Sequence, residues 1–457
     1  MGARPMTGAS GSDFEDSLGL LDCIVLSLGG MAGAAIFIFP GTTGQLVGSA
    51  SIGAWFLAGI LMLALGLCYA ELTLAFPKAG SVAVFPFETL GPHPQVRAFA
   101  SYLEGIGYTI GWILAITISA LSIPDYLAVI LPAAAGNPGV VALGAIGLAT
   151  LSNLLGVGVT SRTNLLLTGV VLTILLLFLG VGASHVQLGH YEPLAVSGPM
   201  KFFAAVQVAL TSYGAWTVIP SVVEEIENPS RTVPRAIVVS LVVTTLLYTA
   251  LVALVHGVVP LSQFTAGNVA ITAPLRVATE LMGVAWLRSL LALSAISAIF
   301  TTMLVGILSA GRVLYALGEN GTLPSMFSTT STRFRVPWVG ILGIGCVAAV
   351  LASVPSYFYQ LLVVGAVVGT GIPYAINILS FLGLRYYRTD VSPDFRAPGG
   401  SALAVVSFAV LGIAMLGLSS TAVVWSAGTL VIVSGYYGVR YALNPDGITP
   451  RRSEEFP

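Results

Sequence analysis

Residues 26–41 read LSLGGMAGAAIFIFPG. Gly29, Gly30 and Gly33 fall within five residues, and Pro40-Gly41 closes the stretch. A helix that had only to cross a bilayer would not carry residues that each weaken it by about 1 kcal/mol. Two readings explain them. Gly29 and Gly33 form a GxxxG pair, which lets helices touch closely. Alternatively the helix is interrupted at mid-membrane, exposing backbone N–H and C=O groups that are tolerated there only where they line a cavity or bind something.

The surrounding composition supplies the bilayer. Of 457 residues 56% are hydrophobic and only 8% charged, with a mean hydropathy of +0.94, whereas soluble domains carry about a quarter charged residues. The chain therefore reads as a polytopic membrane protein. A net charge of −1 without basic runs argues against nucleic acid as a partner. Cys23, Cys68 and Cys346 lie far apart in apolar segments and read as small buried hydrophobes, neither a disulfide nor a metal set. Nor does the polar, acidic start GSDFEDSLG resemble a signal peptide.

Twelve apolar stretches are long enough to cross, at 19–47, 50–76, 97–132, 138–156, 163–184, 200–223, 234–258, 285–316, 337–355, 357–384, 402–420 and 422–441. With the N-terminus inside, fifteen Lys and Arg residues fall on the cytoplasmic side. Only Lys201, Arg276 and Arg288 fall outside. That follows the positive-inside bias and places both termini in the cytoplasm of a cell-membrane protein. The outer segment 258–284 is too broken to cross; it reads either as short helices over the outer mouth or as an ordinary loop.

The sixth stretch resembles the first in one respect. Ser212-Tyr213-Gly214-Ala215 lies at its middle, with Pro220 a few residues on. Five spans separate the two interruptions, so they run in opposite directions, as in inverted-repeat transporters that bind substrate between two broken helices. Residues 19–184 and 200–384 then form the repeats and 402–441 two added helices, with tails at 1–18 and 442–457. A break near Gly33 makes a new helix start at Ala34, Ala35 and Ile36, whose free amides and positive dipole end suit a carboxylate. Carbonyls near Met31, Thr211 and Gly214 suit an ammonium group. Together these describe an amino acid.

At these residues the chain resembles the amino acid–polyamine–organocation superfamily of permeases. GAAIFIFPG is similar to its first-helix motif, YGAW with EEIENPSRTVPRAI to its sixth-helix and loop signature. AGRVLYALGENGTLP and NILSFLGLRYYR…FRAPGG are similar to the ends of its eighth and tenth helices. The resemblance spans nearly the whole chain. It implies an all-α fold of twelve transmembrane helices, a leucine-transporter-like 5+5 inverted repeat with helices 1 and 6 broken, and alternating access. It carries carboxylate binding onto Gly33, Ala34 and Ala35, and amine binding onto Met31, Thr211 and Gly214. Tyr108 stands where the family often has an aromatic lining residue, and Trp216 matches a Gly-Trp of the neutral amino acid branch, with lipid or packing contact as its bland alternative. Two departures stand out: Ala35 replaces a motif glycine, and Val171 occupies the mid-span-5 position where proton-coupled relatives often carry lysine.

Charges inside a membrane are functional suspects. Asp22, Glu71 and Glu104 nevertheless read as lying within reach of the inner surface, paired or hydrated. His256 reads as a hydrogen-bonded histidine rather than a proton relay. Thr301 and Thr302 are candidates for a sodium cage with first-span carbonyls, or else for backbone-bonded threonines. Glu224 and Glu225 against Arg231 and Arg235 read as a charge-paired helix end or, by resemblance, an inner gate. With no apparent buried acid in the pocket, a neutral, apolar or small amino acid is the expected substrate. No cofactor is expected, and the coupling ion, proton or sodium, stays open. So does the contact made by the last two spans, whether lipid or a homodimer partner. Rival functions are a polyamine or organic-amine transporter, an exchanger, and a substrate-gated channel or sensor. An enzyme is not expected: HExxH and GxSxG are absent and the four histidines are scattered.

Overall fold

The computed structural model describes residues 18–131, 136–264, 270, 273–354, 364, 365, 367–416 and 420–443. Most of both expected tails, including Arg4, Arg451 and Arg452, lies outside the described residues. So does the opening of the tenth span at 357–363.

The described chain is helical, with one isolated bridge between Leu18 and Ile226. The first span is divided into α1 (Leu20–Met31) and α2 (Ala34–Val47). There follow α3 (Ser51–Ala75), α4 (Ser81–Thr89), α5 (Pro94–Ile130), α6 (Pro138–Leu154) and α7 (Val157–Gly182). The sixth span is α8 (Pro199–Ser212), a 3-10 turn (Gly214–Thr217) and α9 (Val218–Ser221). The remainder is α10 (Pro229–Val258), α11 (Pro274–Met282), α12 (Ala285–Glu319), α13 (Trp338–Ala352), α14 (Ile372–Tyr387) after a π turn at Val367–Gly371, α15 (Gly400–Leu416) and α16 (Ser420–Leu443).

Each expected apolar stretch thus holds helix. Among the described residues six helical runs are long and apolar enough to cross a bilayer, and the bent sixth span makes a seventh. One of the six, Ala35–Ala75, is 41 residues long, about twice what one crossing needs. Gly48, at φ 68°, interrupts it.

Two features differ from the sequence reading for physical reasons. α7 begins at Val157 rather than 163, because Thr160, Ser161 and Asn164 are polar yet turned into the protein, where an apolar-run criterion does not look for them. The buried helix α4, nine residues long, is too short to register as a span. In the segment 258–284 the short-helix alternative holds, with α11.

Close backbone crossings hold the bundle together. A Cβ on Gly111 of α5 would lie 2.7 Å from Gly369 Cα in the π turn, and one on Gly306 of α12 would lie 2.4 Å from Trp112. Small residues allow such approaches between membrane helices. Large apolar side chains point outward, among them Val431 and Ile432 on α16, exposed at 72% and 75%. Cys346 is exposed too, which corrects the expectation that all three cysteines are buried. It sits on the outer face of α13, where a small apolar thiol meets lipid as readily as protein.

Candidate functional site

Breaking α1 at Met31 leaves its last four carbonyls without intrahelical partners, and each is accounted for. Leu28 O accepts the Ala32 amide at 2.7 Å. Gly29 O accepts the Thr301 hydroxyl at 2.7 Å and Gly30 O the Thr302 hydroxyl at 3.2 Å, both from α12. Met31 O accepts the Gly33 amide at 2.6 Å and the Tyr248 hydroxyl from α10. The broken end is therefore capped by three side-chain hydroxyls from two neighbouring spans. Across the break, Gly33 is the N-cap of α2 and offers no side-chain cap. Ala34, Ala35 and Ile36 form its first turn, the positive end of a helix dipole.

The glycines serve packing as well as the break. A Cβ on Gly29 would meet Thr168 Oγ1 at 2.3 Å and Asn164 Oδ1 at 2.5 Å on α7; one on Gly30 would meet Ala215 Cβ at 2.6 Å. One on Gly33 would lie 1.7 Å from Thr302 Oγ1. Gly33 itself has an ordinary backbone, φ −82° and ψ −158°. What it lacks is room, so the neighbour and not the dihedral demands glycine there.

The sixth span bends by 44° between α8 and the segment Gly214–Ser221. Ser212 O accepts the same Tyr248 hydroxyl at 3.2 Å, so one α10 side chain ties the two broken spans together. Thr217 Oγ1 donates to Gly214 O at 2.7 Å, and its oxygen meets the Tyr108 hydroxyl at 2.8 Å. Tyr108 also bonds Ser309 of α12 at 2.6 Å, and Ser309 contacts Ser221. Tyr108 thus joins α5, the bent segment and α12. Thr211 Oγ1 turns back to Val208 O at 2.6 Å, and the Tyr213 hydroxyl donates to Trp55 O at 3.0 Å. Trp216 is fully buried, edge-on to Tyr69 at 4.9 Å and stacked on Tyr374 at 6.4 Å. It packs within the protein and does not face lipid.

The partner of Glu225 and the surroundings of Glu104 differ from expectation. Glu225 pairs with Arg312 of α12 at 2.8 Å, both buried, while Arg231 and Arg235 lie exposed on the first turns of α10. Arg312 is the partner that sequence reasoning missed, because it comes from another span, eighty-seven residues away. Beside this pair Leu18 N donates to Glu225 O and Glu227 N to Leu18 O, both at 2.9 Å, tying the residue before α1 to the end of the sixth span. Glu71 is paired, with Arg385 Nη2 at 2.7 Å and the Ala397 amide. Asp22 accepts from Ser161 and from the Gly19 amide, each at 3.1 Å. Among the described residues Glu104 pairs with no cation. It is completely buried, and Asn377 Nδ2 donates to its Oε1 at 2.9 Å. The inner-surface reading fails for Glu104 because α5 starts at exposed residues but turns this side chain inward, against Asn377 of α14 and Tyr69 of α3. His256 meets Ser51 Oγ at 2.7 Å, as a hydrogen-bonded histidine should.

A family model described as amino acid permease matches residues 18–438. The branched-chain amino acid permease of Bacillus subtilis is 26% identical over 404 residues, 84% of this chain and 83% of the relative. The methylthioribose transporter of the same organism is 26% identical, covering 91% and 92%. Its aspartate-proton symporter is 24% identical, covering 92% and 83%.

Proposed function

The chain belongs to the amino acid permease family, and we propose that it carries neutral, apolar or small amino acids across the cell membrane by alternating access. It is a transporter and no enzyme. The observation that carries the reading is the division of the first span at Ala32–Gly33, where uncapped amides at the start of α2 sit beside the carbonyl end of α1. In this reading the substrate carboxylate lies on the amides of Ala34, Ala35 and Ile36. Its ammonium lies against carbonyls of α1 and the bent sixth span, near Thr211, Ser212 and Gly214. Because Met31 O already accepts two hydrogens, an ammonium reaching it displaces the Tyr248 hydroxyl. Tyr108, Trp216 and Thr302 complete the surroundings.

Twelve crossings, cytoplasmic termini and inverted repeats over 19–184 and 200–384 belong to the same proposal. The second interruption, five spans after the first and bent by 44°, supports it. The buried Glu225–Arg312 pair acts as the inner gate, which must part when the site opens inward. Thr301 and Thr302 serve this reading as caps of the broken helix.

Uptake of labelled leucine and alanine into proteoliposomes tests the proposal. Saturable uptake, inhibited by neutral amino acids and not by amines lacking a carboxylate, is expected. Strong preference for arginine or a polyamine refutes the substrate class. A second reading, a neutral thio-sugar as substrate, is favoured by the methylthioribose transporter that matches most of the chain; competition by methylthioribose without competition by leucine decides for it.

A further inference from the structure

Glu104 has no role in the mechanism described so far, yet it sits on α5 one helical turn before Tyr108, on the same face. It lies about 15 Å along the helix from its start. Its carboxyl is wholly buried, and Oε2 has no hydrogen-bond partner. The facing amide is half-used in the same way: Asn377 Nδ2 donates to Glu104 Oε1 at 2.9 Å, while Asn377 Oδ1 has no partner. A carboxylic acid and a primary amide pair through two hydrogen bonds, amide N–H to acid carbonyl and acid O–H to amide carbonyl. Here the first is made, and the two oxygens of the second are the two left without partners.

A proton on Oε2 would supply the donor that the second bond requires. A charged carboxylate at this place would instead be an unpaired buried charge, the costliest arrangement a membrane interior offers. The groups facing Glu104 do not neutralise it. They are the Tyr69 hydroxyl from α3, Tyr108 on its own helix and Asn377 from α14. At the adjacent Gly105, the neighbours from α4 and α12 are the apolar Ala83 and Leu317. Among the described residues no arginine, lysine or histidine pairs with it.

The surroundings connect the acid to the proposed pocket. Tyr69 faces Asn377 and Glu104 and lies edge-on to Trp216 at 4.9 Å. Tyr374, one turn before Asn377 on α14, stacks on Trp216. Tyr108 touches the bent sixth span through Thr217. A change of charge at Glu104 is thus felt through one layer of aromatic side chains by the segment that bends.

We propose that Glu104, held by Asn377, is the site that carries a coupled proton. The inference rests on the amino acid transport reading above. The proton enters from outer water onto Oε2 and travels as the neutral acid–amide pair while the inner end is closed. It leaves to the cytoplasm when opening admits water to the carboxyl, which returns ionised and hydrated. No lysine is needed in span 5, where Val171 stands.

Glu104→Gln is the decisive variant. The glutamine amide reproduces the shape of the protonated acid and can complete both bonds to Asn377, so the protein is expected to fold. In proteoliposomes with an inward proton gradient the wild type should concentrate leucine and acidify the lumen, read by an internal pH dye. E104Q should keep leucine counterflow within about twofold, while accumulation falls to the equilibrium level and the dye signal vanishes. Asn377→Ala, which keeps the acid, should retain proton flux but move the pH midpoint of uptake by about one unit. Undiminished gradient-driven accumulation and dye response in E104Q overturn the proposal, as does a selective loss of arginine or lysine transport, which would make Glu104 a counter-ion for cationic side chains. An unmoved pH midpoint in N377A overturns the role of the amide. If neither protein shows amino acid counterflow, the transport reading itself falls, so the two failures are told apart.

Discussion

Gly33→Ala tests whether the close approach of Thr302 sets the shape of the broken helix. The added methyl would lie 1.7 Å from Thr302 Oγ1 and 3.0 Å from Thr302 Cβ, against a closest ordinary approach near 3.0 Å. Either α1–α2 moves by about an ångström, or Thr302 rotates and gives up its hydrogen bonds to Gly30 O and Ala298 O. Overpacking of this kind costs about 1–3 kcal/mol. If that falls on the substrate-binding conformation, apparent affinity drops roughly 5- to 150-fold. Thr302→Ala alone orphans the Gly30 carbonyl and costs about 1–3 kcal/mol. In the double variant the Oγ1 clash is gone and the hydrogen bond is lost only once, so the two costs should overlap by about 1 kcal/mol or more. Leucine affinity in proteoliposomes, measured for all four proteins of the cycle, reads this directly. Costs that simply add, to within about 0.5 kcal/mol, refute the reasoning.

Tyr248→Phe removes the hydroxyl shared by Met31 O and Ser212 O. It should destabilise the protein by about 1–2 kcal/mol, seen as a lower unfolding midpoint in detergent; an unchanged midpoint removes Tyr248 as the tie between the two broken spans. Replacing Glu225 by Leu or Arg312 by Met should each destabilise the inward-closed state by about 3–5 kcal/mol, because each leaves a buried charge behind. The double replacement should recover much of that loss. Reactivity of a cysteine placed at Ser221 toward a membrane-impermeant reagent added from the cytoplasmic side reports the gate, and singles no more reactive than the parent cysteine protein would contradict the assignment.

Composition alone determined that this chain lives in a bilayer, and the glycine run marked where its first helix could end, because helix-weakening residues in a membrane span are hard to tolerate without a local reason. The new helix start at Ala34 was legible for the same cause. Gly29, Gly30 and Gly33 were ambiguous between packing and interruption, and the structure makes them both. What the sequence left hidden are partners set by tertiary contact. Tyr248, two hundred and seventeen residues from Met31, carries no local pattern that points to a helix end. Arg312 was hidden from Glu225, whose near neighbours Arg231 and Arg235 were the nearer choice in sequence and are exposed in space. Glu104 was misplaced because distance along a helix says how deep a residue lies but not which side it faces. Asn377 on α14 and Tyr69 on α3, both far off in sequence, are what it faces. Periodicity and composition report what each segment needs from its solvent. Only the folded bundle decides which hydroxyl, amide or guanidinium arrives to satisfy it.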